Sequence, residues 1–109
     1  MSYIDTALKL DQIAVGSSVC VQLGDVQVGL FREPAGLFAI DNVCPHRGAP
    51  LHEGFVTDSY VTCPWHQWQF QLDDGACRNI PKVRIITYPV EVREGAIWID
   101  LQNQETEKS

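Results

Sequence analysis

From Ser18 to Leu23 apolar and polar side chains alternate one by one, Val19, Val21 and Leu23 against Ser18, Cys20 and Gln22. That period of two predicts a half-buried strand. Gly24-Asp25 then supplies a hairpin turn and Val26 to Arg32 the returning strand. Glu33-Pro34-Ala35-Gly36 reads as a second turn, followed by a strand from Leu37 to Asp41. Upstream, a short apolar alternation around Ala7, Leu8 and Leu10 predicts a strand that runs into a turn near Gly16.

Downstream, Tyr60 to Thr62 and the series Trp68, Phe70, Leu72 predict two more strands, the second ended by Asp73-Asp74-Gly75. The large side chains of that series share one face and are expected to pack into the core. Residues 76 to 84 have weak periodicity and a proline, so they predict a loop or irregular edge. Ile85 to Val92 and Ala96 to Leu101 predict a closing hairpin across Glu94-Gly95. No stretch supports more than a turn of helix. The expectation is an all-β antiparallel fold in a single domain over residues 1–101, with a disordered polar tail over 102–109.

Composition narrows the class without naming it. A chain of 109 residues is long enough to bury a core of its own. The net charge of −6 argues against nucleic acid or an anionic membrane surface and favours a partner with a basic face. The N-terminus lacks a positive region followed by an apolar run, and no window reaches the roughly 18 apolar residues of a membrane span, so a cytoplasmic location is expected.

The chemistry sits between these strands. Cys44 and His46 form one pair and Cys63 and His66 another, each cysteine followed by proline. Thiolate and imidazole are the strongest side-chain ligands for borderline and soft ions, so the four point to one metal centre. A single zinc is one reading, giving a zinc-stabilised binding module. The one-residue separation of Cys44 from His46 is tighter than the usual zinc turn. A two-iron cluster relaxes that demand, because each loop can give its sulfur to one iron and its nitrogen to the other.

At these residues the chain resembles the Rieske family, whose pattern is C-x-H, a longer gap, then C-x-x-H. The resemblance extends over roughly residues 5 to 101. It implies a Rieske-type β-sandwich whose cluster-binding subdomain is formed by two loops. It also implies a 2Fe-2S cluster with Cys44 and Cys63 on the inner iron and His46 and His66 on the outer one. The implied role is a one-electron carrier with no substrate site of its own, passing electrons from an NAD(P)H-linked flavin reductase to a terminal oxygenase. The run from Leu37 to Val56 and the late T-Y-P-V-E-V also look similar to the small subunit of NAD(P)H-dependent nitrite reductase, whose large subunit would then be the partner. Beyond the motif only His52 remains among histidines, too few for the mononuclear iron of an oxygenase domain.

Other residues near the motif have weaker readings. His52 falls at a variable site of the family and is expected on the surface. Arg47 reads equally as a docking residue for a partner and as a plain surface arginine, Pro81 is a candidate to cover the cluster, and Gln67 stands where the family more often has glycine or asparagine. Cys20 and Cys77 are expected to be reduced thiols. High-potential family members carry an extra cysteine in each loop and a serine after the last histidine; here those places hold Ala49, Trp65 and Trp68. No loop disulfide is therefore expected, and the midpoint potential should lie at the low end of the Rieske range. Protein-film voltammetry checks this: a midpoint below about +100 mV is expected, falling with pH in the alkaline range as the ligand histidines lose their second ring proton.

Overall fold

The structure, a computed structural model, describes residues 3–45, 48–64, 68–80 and 82–101. Among them are ten strands: β1 (Tyr3–Lys9), β2 (Ser18–Leu23), β3 (Val26–Glu33), β4 (Gly36–Asp41), β5 (Phe55–Thr57), β6 (Tyr60–Thr62), β7 (Gln69–Gln71), β8 (Thr87–Tyr88), β9 (Val90–Arg93) and β10 (Ala96–Asp100). Single 3-10 turns stand at Leu10–Gln12 and Leu51–Glu53. The strands form three antiparallel sheets, ordered β1-β10-β9, β2-β3-β4-β8 and β5-β6-β7. The all-β antiparallel expectation holds.

The β2-β3-β4-β8 sheet is the frame. Val28, Gly29, Leu30 and Phe31 in β3 are all buried, so this strand is covered on both faces. Alternate side chains then enter two different cores. Val28, Leu30 and, from β4, Ala39 join Ile13, Tyr88, Ile97 and Ile99 beneath the β1-β10-β9 sheet. Phe31 and Ile40 point the other way, into a second core with Leu51, Val61, Phe70, Leu72, Ile85 and three cysteines, Cys44, Cys63 and Cys77. The small β5-β6-β7 sheet belongs to this second core.

Three strand expectations need correcting. The strand proposed from Ile85 to Val92 is broken at Pro89: Thr87 and Tyr88 pair with β4, while Val90 to Arg93 pair with β10. Proline has no N–H to offer a ladder, and here it marks the point where the chain leaves one sheet for another. The sheet also gains β5, a three-residue strand too short for periodicity to reveal, which leaves Phe55 76% exposed at its edge. The first strand is interrupted by a bulge, with Ala7 at φ +67° and its amide donating to Asp5 Oδ1. The expected disorder of 102–109 falls outside the described residues.

Gly54 shows how tightly the small sheet is seated. It ends the Leu51–Glu53 turn, donating to Leu51 O at 2.9 Å, and a methyl group in place of its hydrogen would overlap the carbonyl oxygen of Thr62 on β6. Backbone cannot yield as a side chain does, so Gly54→Ala is expected to cost about 1–3 kcal/mol, measured by chemical denaturation. An unchanged unfolding midpoint would mean that the turn and β6 are not in this contact.

Candidate metal centre

The loop expected to carry the first ligand pair is built on the end of β4. Asp41 Oδ1 accepts from Val43 N (3.1 Å), Val43 and Pro50 form an isolated antiparallel bridge, and Leu51 N donates to Asn42 O (2.8 Å). Above this base Cys44 N donates to Ala49 O (3.0 Å), and Gly48 N donates back to Cys44 O (2.7 Å). Gly48 sits at φ +76°, a conformation that other residues adopt only under strain. The backbone on both sides of the Cys44 side chain is therefore hydrogen-bonded.

The second loop leaves β6. Cys63 follows Thr62, the last residue of that strand, and its amide donates to Trp68 O (2.9 Å), closing the turn before β7. The irregular segment after β7 packs alongside. Cys77 bridges Phe70, Arg78 N donates to Gln69 O (2.8 Å), Asn79 Oδ1 accepts from Gln69 N (2.9 Å), and Cys77 N donates to Val83 O (3.1 Å). Val83 and Trp68 pack against the second core, and the Trp68 ring meets Phe70 edge-on with centroids 6.4 Å apart. The expected core role of the Trp68, Phe70, Leu72 series holds.

Cys44 is 1% exposed and Cys63 2%, and both belong to the same apolar core although nineteen positions separate them in sequence. None of the four cysteines is joined in a disulfide; Cys20 is exposed and Cys77 buried. Among the described residues no group of three or more His, Cys, Asp or Glu side chains is placed to hold a metal ion. Cys77 therefore does not complete a site with Cys44 and Cys63, despite sharing their core. His46 and His66 lie outside the described residues, as do Arg47, Trp65, Gln67 and Pro81.

This arrangement fits an iron–sulfur cluster. Two thiolates buried among apolar side chains are costly unless a cation neutralises them, and thiolate sulfur is the ligand such clusters use. His52 departs from expectation. Its side chain is only 26% exposed and is held by Asn42, with His52 N donating to Asn42 Oδ1 (2.7 Å). No pattern of spacing marked Asn42, a buried polar residue at the end of a strand.

The Rieske [2Fe-2S] domain matches residues 6–89, and the chain belongs to that family. Its cofactor is accordingly a Rieske-type 2Fe-2S cluster. In fold it is similar to a structure assigned provisionally as the small subunit of an NADH-dependent nitrite reductase from Mycobacterium tuberculosis, with 36% identity, a TM-score of 0.81, and coverage of 91% of this chain and 96% of that one. It is also similar to the ferredoxin of carbazole 1,9a-dioxygenase from Nocardioides aromaticivorans IC177, at 27% identity and a TM-score of 0.81, covering 91% and 97%. In sequence it is 29% identical over 102 residues to the ferredoxin component of the naphthalene 1,2-dioxygenase/salicylate 5-hydroxylase systems of Ralstonia sp, covering 93% of this chain and 97% of that protein. Other curated relatives are longer: the chain spans 22% of the 4beta-methylsterol monooxygenase of Methylococcus capsulatus, to which it is 39% identical over 84 residues. No helix among the described residues is long and apolar enough to cross a membrane.

Electrostatics at the base of the first loop give a measurable signature. Burial pushes the Asp41 carboxyl up, partly offset by the hydrogen bond from Val43. Burial, and then the Asp41 charge, push the Tyr88 phenol up to about 12. The folded state thus holds the phenolic proton more tightly than the unfolded chain, so this contribution to stability is complete below the unfolded value near 10 and is lost as pH rises toward about 12. Denaturant midpoints measured from pH 8 to 12 are expected to fall less steeply in Tyr88→Phe than in the parent; parallel curves would mean that Tyr88 titrates as it does in water.

Proposed function

We propose that Cys44, His46, Cys63 and His66 hold the cluster, the cysteines on the buried iron and the histidines on the outer one, and that the chain carries single electrons from an NAD(P)H-linked flavin reductase to a terminal oxygenase. The observation that carries this reading is the burial of Cys44 and Cys63 in one core at the roots of two separate loops. When bound, the cluster supplies a one-electron couple at roughly −150 to +300 mV, above the about −400 mV of all-cysteine ferredoxins.

The chain's own part is to hold and insulate. The Cys44–Ala49 and Cys63–Trp68 hydrogen bonds keep each loop closed, and Phe31, Leu51 and Phe70 exclude water from the thiol side. Tight loops limit reorganisation when the charge changes by one electron. The net charge of −6 suits brief contact with a basic face, as electron-transfer encounters are small and transient. Similarity to oxygenase-system ferredoxin components over nearly their whole length supports the oxygenase as acceptor.

A second reading has its own support. The 36% identity to the Mycobacterium tuberculosis nitrite reductase structure favours a bound small subunit of an NAD(P)H-dependent nitrite reductase. Anaerobic purification separates the two. Iron and acid-labile sulfide in stoichiometric amounts are expected, with a reduced EPR spectrum whose average g-value lies below that of an all-cysteine cluster. Rapid reduction by an added flavin reductase without a co-purifying chain supports the carrier, whereas co-purification with a sirohaem-containing chain supports the subunit. Stoichiometric zinc without iron or sulfide would overturn both.

A further inference from the structure

Asn42 and His52 flank the first ligand loop, outside both ligand pairs. Asn42 is 0% exposed, and its polar groups are engaged. Its amide donates to Gln27 O (2.9 Å), its carbonyl accepts from Leu51 N (2.8 Å), its Oδ1 accepts from His52 N (2.7 Å), and its Nδ2 lies 2.8 Å from His52 Nδ1. The side chain also shares a hydrogen bond with the Cys20 thiol. From the other side Ser18 Oγ donates to His52 O at 2.7 Å. The strand beneath is bare where the amide rests: a Cβ at Gly29 would stand 2.7 Å from Asn42 Oδ1.

These contacts fix donors and acceptors. A backbone N–H can only donate, so the Asn42 atom facing His52 N is the oxygen. The Nδ2 hydrogens then face Nδ1 of His52, which must accept, and the ring proton sits on Nε2. Above the side-chain pair the two arms of the loop are joined in succession by Leu51–Asn42, Val43–Pro50 and Cys44–Ala49. The pair is the lowest rung of a ladder whose top rung is the Cys44 backbone.

We propose that Asn42 and His52 form a clasp that closes the base of the first ligand loop, which makes His52 a positioning residue for Cys44. This rests on the reading of Cys44 as a cluster ligand. Removing Nδ1 takes away one of the two bonds of the lowest rung and leaves only the His52 N–Asn42 Oδ1 bond, so the rung weakens and the loop above it loosens. Residues that orient metal ligands in this way typically change metal retention by about 10–100-fold when lost.

The test compares His52→Leu, which removes the acceptor, with His52→Asn, whose side-chain oxygen can stand where Nδ1 stands. Cluster loss to an iron chelator is followed by visible absorbance, alongside the reduced EPR spectrum, thermal unfolding, and amide exchange at residues 51 and 52. His52→Leu is expected to lose its cluster about tenfold faster with a broadened EPR spectrum, and His52→Asn to return within about twofold of the parent. Loss at the parental rate in His52→Leu, or equal loss in both variants, overturns the clasp. Absence of iron and sulfide from the parent protein would instead overturn the ligand reading. In that event amide exchange still decides the clasp: faster exchange in His52→Leu restored in His52→Asn supports it, and unchanged exchange refutes it.

Discussion

Cys44 and Cys63 stand on different loops, yet both must sit in the same apolar surroundings, and much of the architecture answers that demand. A thiol on a free loop would face water and sample many positions. Here β4 and β6 deliver the two residues into a core that also takes Phe31 and Ile40 from the central sheet. Burial of those large side chains supplies the free energy that holds the loops down, at about 25 cal/mol for each Å² removed from water. The backbone hydrogen bonds at Cys44 and Cys63 then convert a general hydrophobic attraction into fixed positions.

The central sheet makes this possible by being covered twice. Because β3 and β4 send alternate side chains to opposite faces, the two cores share the same strands as a common wall. One core ties β9, β10 and β1 to the sheet, and the other ties the two cysteine loops to it. Asp41 and Tyr88 lie along that wall, which is why a phenol in the first core feels a carboxylate that begins the first ligand loop.

Local features were legible in the sequence to the extent that they repeat within a few residues. The alternation in Ser18–Leu23 and the turn at Gly24-Asp25 need only their neighbours, and β2 and β3 stand where they predict. The two Cys–His motifs are also local, and their cysteines are both buried in one core. What could not be read depends on partners far along the chain. Pro89 announces a break, but only the separate pairing of β8 with β4 and β9 with β10 turns that break into a change of sheet. His52 reads as a surface histidine and Asn42 carries no signal of its own, because nothing short of the folded loop brings one beside the other.

The pairing of β1 with β10 sets Tyr3 opposite Asp100 and Ile4 opposite Ile99. Contacts of such long separation carry a large entropic penalty for loop closure and raise the average contact order, which slows the search for the native state. A nascent chain emerging from the ribosome could assemble the β2-β3-β4 meander early. It must keep β1 waiting, with its exposed Ile4, until nearly a hundred residues have been synthesised.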